Sequence, residues 1–414
     1  MTTWVKQKIK NIGRVVTGKT PPTIKTELLG DEFPFITPTD ILDSSIYVNS
    51  PERYLSMKGA AHLKSLRLPK DTICYTCIAS IGKIAITIKD SFTNQQINSI
   101  LVDSTKHDFR YLFYLLKYKT PQIRLMAGGV ASPIINKTVF ENIELMMPDL
   151  PIQKQIAGLL AAYDTLIDNN EKRTKVLEEM AQRLYNEWFV KFKFPGYEKV
   201  KMVDSGTEYG MIPEGWVVNK LRDVAGYVRG CSYSSDEIDD FIGEYYIVNL
   251  KSFNRGGGFR FDGAKYYTGD VNENQLLSED DIVVAVTDMT NDRAVIARPA
   301  RIPEIKYKTT LSADVVKIIS DILPNSFIYQ LLSSYRFTET TKHKANGANV
   351  LHLKPDSILE YKALIPTKDL MTKFDVLCSK MAHEINKLIN QTEISVKTRD
   401  ILIPRLVTGK LEIK

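Results

Sequence analysis

Cysteine is scarce in this sequence. Cys74, Cys77, Cys231 and Cys378 are the four in 414 residues, too few for a disulfide framework in a chain of this length, so a reducing, cytoplasmic setting is expected. Long apolar runs are missing as well. No stretch reaches the ~18 apolar residues of a membrane span, and the opening Met-Thr-Thr-Trp-Val-Lys-Gln-Lys-Ile-Lys has no apolar segment followed by a cleavage site. Neither a membrane partner nor a secretory signal is expected. A large excess of one charge is lacking too: 55 Lys and Arg against 49 Asp and Glu leave +6. That balance does not demand a polyanionic partner, but it permits a basic groove beside an acidic back face. With 43% hydrophobic and 25% charged residues, collagen-like, low-complexity and wholly disordered chains are excluded. The length predicts two or three domains.

Catalytic signatures are also sparse. Cys74-x-x-Cys77 has no second Cys or His pair at zinc spacing and lies in a strand-like run, so core packing is expected. His62, His107, His343, His352 and His383 are scattered, and His383-Glu384 lacks the second His of a zinc-protease motif. There is no Gly-x-x-x-x-Gly-Lys-Ser/Thr phosphate loop. Arg255-Gly-Gly-Gly-Phe259 lacks the strand–loop–helix context of a dinucleotide fingerprint and reads as a hairpin or a DNA-facing loop. Asp288 or Asp292 followed by Glu304-Ile305-Lys306 has the residue types of a Mg-dependent nuclease, carboxylates for the ion and a lysine to assist the attacking water. No Asn/Asp-Pro-Pro-Tyr/Phe motif for holding a flipped adenine is present. No catalytic, cofactor-binding or metal-binding residue is assigned.

What the sequence does contain is itself, twice. An ungapped offset sets Trp4 against Trp216, Val5 against Val217, Lys8 against Lys220 and Gly18 against Gly230, with Ile9/Leu221, Ile12/Val224 and Val16/Val228 apolar in both. Leu-Pro-Lys-Asp-Thr-Ile (68–73) answers Leu-Ser-Glu-Asp-Asp-Ile (277–282). Further on, Gly129 matches Gly347, Pro148 matches Pro366, Leu159 matches Leu377, Ile167 matches Ile385 and Leu184 matches Leu402. The drift in offset is what loop insertions produce. A period of roughly 210 residues is far too long for a solenoid, so each copy is a globular unit with an appendage.

Before Pro148 the pattern is mixed. Short apolar runs at 72–78, 83–88 and 282–286 predict strands, 111–117 and 326–333 predict short helices, and Gly/Pro clusters separate them. After Pro151 the periodicity becomes helical for almost forty residues: Ile156, Leu159, Leu160, Tyr163, Leu166, Ile167, Leu177, Met180, Leu184 and Trp188 recur at three- and four-residue steps. Phe374, Leu377, Met381, Ile385, Leu388, Ile401, Leu402 and Leu406 repeat this in the second copy, with Pro404 near the end. A helix of about 38 residues is about 57 Å long and cannot be buried by one small domain. The other copy's helix is the natural partner, antiparallel, as a coiled coil about a pseudo-twofold axis. Ile156, Tyr163, Asn170, Leu177 and Leu184 on one helix and Phe374, Met381, Leu388 and Leu402 on the other are the expected pairing residues. Asn170 on that seam is either a register-fixing buried amide or a solvated turn. The expected fold class is mixed α+β: two similar globular domains separated by two long antiparallel helices.

Two like units on a long spacer, with no active site, suit a protein that reads a polymer at two places. Candidate DNA contacts are Lys19, Thr20, Lys83, Asn94, Gln95, Arg124 and Lys137 in the first copy. In the second they are Arg229, Arg255, Arg293, Lys342, Lys344 and Asn346. Lys and Arg would neutralise phosphates, and Asn, Gln, Thr and Arg can read base edges.

The motifs resemble the specificity (S) subunits of type I restriction–modification systems. Trp4 to Ile12, and the fuller Ile-Pro-Glu-Gly-Trp-Val (212–217) with Leu-Arg-Asp-Val (221–224), look like that family's opening for each half. Thr-Gly-Lys-Thr-Pro (17–21), Phe-Pro-Phe-Ile-Thr-Pro-Thr-Asp-Ile (33–41), Ala-Ser-Ile-Gly-Lys (79–83) and Thr-Asn-Gln (93–95) follow its pattern. Residues 148–156 resemble the lead into its first conserved helix, although Ile152-Gln153 stands where Glu-Gln is frequent. Trp-Phe-Val-Lys-Phe-Lys-Phe-Pro-Gly (188–196) is similar to the helix exit, and Leu-Ile-Pro-Arg-Leu-Val-Thr-Gly-Lys-Leu (402–411) to the C-terminal motif. The second copy departs most, with Arg-Gly-Cys-Ser-Tyr (229–233) in place of the Gly-Lys-Thr-Pro form and 288–292 in place of Ser-Ile-Gly-Lys.

The resemblance implies target recognition domains at 1–150 and, with a linker, 195–366, and conserved spacer helices at 151–194 and 367–414. It implies double-stranded DNA as ligand, two methyltransferase (M) subunits carrying S-adenosylmethionine for adenine N6 methylation, and restriction (R) subunits using ATP and Mg. On this reading the chain is not an enzyme, its two halves read different sequences, and it binds no cofactor itself. The alternatives are the specificity chain of a methylation-only or related phage-defence system, a stand-alone nuclease built on Glu304 and Lys306, and a scaffold binding only protein.

Overall fold

A computed structural model describes residues 3–413 apart from 23, 24, 43, 44, 49, 128–132, 241, 262, 264, 291 and 348. Gly129, matched to Gly347 in the repeat, lies outside the described residues. Two compact units divide the chain: residues 1–167 with 395–414, and residues 168–394.

In the first unit, strands Gly13–Thr17, Ile97–Val102, Ile73–Thr76 and Ile84–Thr87 pair antiparallel in that order, and Tyr47–Val48 adds a parallel edge. A smaller sheet pairs Leu29–Ile36 antiparallel with Arg53–Leu55 and parallel with Phe92–Thr93. Ile73–Thr76 and Ile84–Thr87 are buried on both faces, which is why they read as continuous apolar runs rather than alternating ones. The helix expected at 111–117 is longer, Phe109–Leu125. Its start is fixed by Asp108, whose side chain accepts from the N–H groups of Arg110 and Tyr111.

The second unit repeats the plan. Gly226–Arg229, Val315–Ile319, Ile282–Ala285 and Pro299–Arg301 pair antiparallel in the equivalent order. Tyr245–Val248 again carries an antiparallel neighbour, Lys265–Tyr267, and a parallel one, Thr309–Leu311. In each unit the opening strand closes the domain by pairing with the strand before a long helix: Val5–Lys8 with Glu144–Met147, and Val217–Lys220 with Lys362–Ile365.

Backbone constraints recur in both units. Asp71 and Asp280 both adopt left-handed backbone (φ 66° and 73°), as do Gly82 and Ala297 (93° and 59°), whose N–H groups donate to the carbonyls of Thr76 and Ala285 at the ends of equivalent strands. Gly18 and Gly230 are required by close approach. A Cβ on Gly18 would stand 2.2 Å from the carbonyl oxygen of Thr93, and one on Gly230 would stand 2.1 Å from that of Ser312.

The long helices are Leu150–Tyr185, extended by a wide π-type turn over Asn186–Val190, and Lys368–Leu406. Inside the first unit, the beginning of one meets the end of the other: Ile156, Ala157 and Leu160 share a core with Ile403, Leu406 and Val407. There Arg399 pairs with Asp164 at 2.6 Å, and Tyr114 donates to the same carboxylate. Inside the second unit the opposite ends meet: Tyr185, Trp188 and Phe189 pack against Phe374, and Arg173 pairs with Glu384 at 3.0 Å. The helices are therefore antiparallel.

Of the expected pairing residues, Ile156, Asn170, Phe374 and Leu388 are buried, and Tyr163, Leu177, Leu184, Met381 and Leu402 are partly buried. Asn170 is 2% exposed and its amide nitrogen has no hydrogen-bond partner, so the solvated reading does not hold. Leu159, Leu166 and Met180 are exposed, because their neighbours Leu160, Ile167 and Ala181 occupy the buried seam about 100° away round the helix. No helix among the described residues is long and apolar enough to cross a membrane.

Two consequences are measurable. Gly18→Ala and Gly230→Ala should each lower stability by about 1–3 kcal/mol, read as a fall in the thermal unfolding midpoint, because backbone must move to admit the methyl. Glu178, on the first long helix, lines a small cavity with Arg301, Tyr329 and Asn386, and burial pushes its carboxyl up to about 7 from 4.5. A raised carboxyl gives its full contribution below the unfolded value and loses it as pH rises through the folded one. The unfolding midpoint should therefore fall between about pH 4.5 and 7, and Glu178→Gln should flatten that slope.

Candidate nucleic-acid interface

In the first unit, the turn after Gly13–Thr17 lies against the 93–97 turn. The Lys19 N–H donates to the Thr93 carbonyl at 2.9 Å, and Thr20 Oγ1 donates to Gln95 Oε1 at 2.7 Å. Asn94 Nδ2 donates to Gln96 Oε1 at 2.9 Å. Lys19, Thr20, Asn94 and Gln95 thus come together from segments far apart in sequence, with Lys19 and Gln95 exposed. Lys83 and Arg124 work on a second turn. Thr76 Oγ1 donates to the Ser80 carbonyl and accepts from the Lys83 N–H, while Arg124 Nε donates to the Ile81 carbonyl at 2.8 Å. Lys83 Nζ donates to the Pro38 carbonyl at 2.9 Å. Lys137 stands apart, paired with Glu141 at 3.5 Å on a short helix capped by Asn136.

In the second unit, three loops converge. Asp288, 1% exposed, accepts four hydrogen bonds: from Thr290 N and Oγ1 at 2.7 Å each, from Val295 N at 2.8 Å and from Ile296 N at 2.9 Å. Burial alone would raise this carboxyl, but the bonds from Thr290, Val295 and Ile296 outweigh it and hold it below its usual value. Asp292 pairs with Arg255 of the triple-glycine turn at 2.5 Å. Arg293, at left-handed φ 55°, donates from Nη1 to the Lys342 carbonyl at 3.2 Å and lies 3.4 Å from His343 Nδ1. Arg255, Arg293 and Lys342 are thereby gathered together; Lys342 is also paired with Glu339 at 2.5 Å.

The other candidates sit elsewhere. Arg229 is exposed, 5.8 Å from the Tyr227 ring centroid, and its carbonyl accepts from Gln275 Nε2 at 3.0 Å. Lys344 Nζ reaches the Ser357 carbonyl at 3.4 Å, and Asn346 bridges backbone-to-backbone with His352.

This geometry corrects the nuclease alternative. The Asp288 carboxylate is committed to loop donors and Asp292 to Arg255, so neither is free to join Glu304 at an ion. Among the described residues no group of three or more His, Cys, Asp and Glu could hold a metal. Cys74 and Cys77 are buried and burial pushes both thiols up to about 12, as expected of core residues rather than ligands. Sequence reasoning missed Thr290 and the role of Asp288. An Asp two residues before a Thr is the one available signal, and it is common in ordinary turns.

Known proteins resemble this chain in sequence and fold. The profile described as "Type I restriction modification DNA specificity domain" matches residues 1–179. The type I restriction enzyme MjaIX specificity subunit of Methanocaldococcus jannaschii is 29% identical, over 99% of this chain and 94% of that protein. The HindI specificity subunit of Haemophilus influenzae is 30% identical over 44% of this chain and 41% of its own. A crystal structure of the type I restriction–modification S subunit from M. genitalium has the same fold, with a TM-score of 0.61 at 13% identity over 98% of this chain and 96% of that one. With a profile match at one end, likeness along the whole length and a shared fold, the chain is similar to the specificity subunits of type I restriction–modification systems.

Proposed function

We propose that this chain gives a type I restriction–modification complex its DNA sequence specificity, reading a bipartite, asymmetric site with one half taken by each unit. The observation that carries this is the duplication: two units of equivalent topology, each presenting its own exposed basic and amide side chains on its own turns. The sets differ, with Lys19, Thr20, Asn94 and Gln95 in one and Arg229, Arg255 and Arg293 in the other, which supports two unlike half-sites. Phosphate contacts from the lysines would make binding salt-sensitive.

As a specificity subunit the chain supplies recognition rather than turnover. Its partners on this reading are two M subunits, which bring S-adenosylmethionine and methylate adenine, and R subunits, which bring ATP and Mg, in the cytoplasm. Exposed apolar side chains on the long helices, Leu159, Leu166 and Met180 on the first and Val376 and Leu377 on the second, support docking of M subunits there. The domain limits expected from the sequence, 1–150 and 195–366 with spacer helices at 151–194 and 367–414, belong to the same proposal.

Removing or adding one heptad within 153–190, with a matching change in its partner helix, should alter the unread spacer and leave both half-sites intact. Methylome sequencing reads this directly, and an unchanged spacer would sink the spacer role. Exchanging residues 1–150 for those of a relative should change one half-site alone; a motif altered in both halves would refute the assignment of one half to each unit.

A further inference from the structure

The loop built around Asp288 has more internal structure than an exposed turn requires. Its centre is a buried carboxylate with four donors, two on each oxygen. Thr290 Oγ1 also accepts from the Ala294 N–H at 2.9 Å, so the hydroxyl links both sides of the loop. A carboxylate buried this way is stable only because every bond is made; removing its charge would leave backbone N–H groups without acceptors. What the loop presents is Met289, 73% exposed, and Arg293, half-buried in a strained left-handed conformation. Only one terminal nitrogen of Arg293 is used, at the Lys342 carbonyl and beside His343. Among the described residues, nothing in the protein takes its Nε or its other terminal nitrogen. A guanidinium oriented from behind, with donors left over, suits an acceptor pair such as O6 and N7 of guanine.

We propose that Arg293 reads a guanine in the half-site of the second unit, and that Asp288 is a positioning residue that holds it there. This rests on the reading of the chain as a DNA-specificity subunit. The equivalent turn of the first unit is built differently, around the Thr76 hydroxyl with Arg124 bonded to the Ile81 carbonyl, so the device belongs to one half only.

The test uses the full chain assembled with its M subunits and duplexes carrying its methylated motif. Retention of that duplex over one with both half-sites scrambled tests the underlying reading alone. Each guanine of the motif, on either strand, is then replaced in turn by 7-deazaguanine, which lacks the N7 acceptor. At one guanine of the second unit's half-site, the replacement should weaken wild-type binding roughly 10- to 100-fold. Arg293→Ala should lose at least a similar factor on the unmodified duplex and a clearly smaller one on the modified duplex, where only O6 remains to be lost, while Arg293→Lys retains part of the preference. Asp288→Asn, or Thr290→Val where that variant does not fold, should reduce the same preference while leaving the first unit's half-site unaffected; a merely structural defect would weaken every position alike. The proposal is overturned if no guanine shows this coupling to Arg293, or if the coupled guanine lies in the first unit's half-site.

Discussion

The antiparallel pairing of the two long helices is the constraint on which the remainder depends. Neither unit closes its core without them. In the first, Tyr111, Phe113 and Phe140 are joined by Ile156 and Leu160 from one helix and by Ile403 and Leu406 from the other. In the second, Phe327 and Phe337 are joined by Tyr185, Phe189, Phe374 and Cys378. Each helix thus gives one end to each core, and residues far apart in the chain become neighbours. The buried Asp164–Arg399 pair, with Tyr114 on the same carboxylate, holds this arrangement at one end. A pair so enclosed favours one register strongly, because a shifted helix would strand a charge away from water.

Gln153 shows how the helix is joined to its domain. It is 1% exposed, accepts from the Asp108 N–H at 2.9 Å and donates to the Pro148 carbonyl at 2.8 Å. One side chain therefore ties the helix start both to the cap of the 109–125 helix and to Pro148, which follows the Glu144–Met147 strand. The rest of the first unit and the start of the long helix meet through made hydrogen bonds rather than a free linker.

Duplication has been conserved by physics in some places and released in others. Gly18 and Gly230 persist because carbonyl oxygens leave no room for a Cβ, and the paired left-handed positions persist because the turn between strands demands them. Elsewhere in the same turns the two units differ. There the first unit uses the Thr76 hydroxyl and the second the Asp288 carboxylate to fold a loop at a corresponding place, and the side chains presented differ. A common scaffold thus carries differently built loops at corresponding places.

Much of this was legible in the sequence. The collinear matches, from Trp4/Trp216 to Leu184/Leu402, already expressed the repeat, and three- and four-residue periodicity marked both long helices, since these signals are local and recur along the chain. Helix ends were less legible: the 109–125 helix runs past its apolar core, and Leu159, Leu166 and Met180 look like seam residues although a one-residue step turns them outward. Asp288 was unreadable in kind. Its residue type suits a metal ligand as well as a loop organiser, and the choice between them is made by N–H groups at 290, 295 and 296 that only the folded backbone brings within reach. The sequence alone determined the duplication and its helical spacer, because those depend on patterns along the chain. Tertiary structure decided which acid is committed to loop donors, which lysine is spent on a carbonyl and which arginine is held by a neighbouring carbonyl, because each depends on groups that meet only in space.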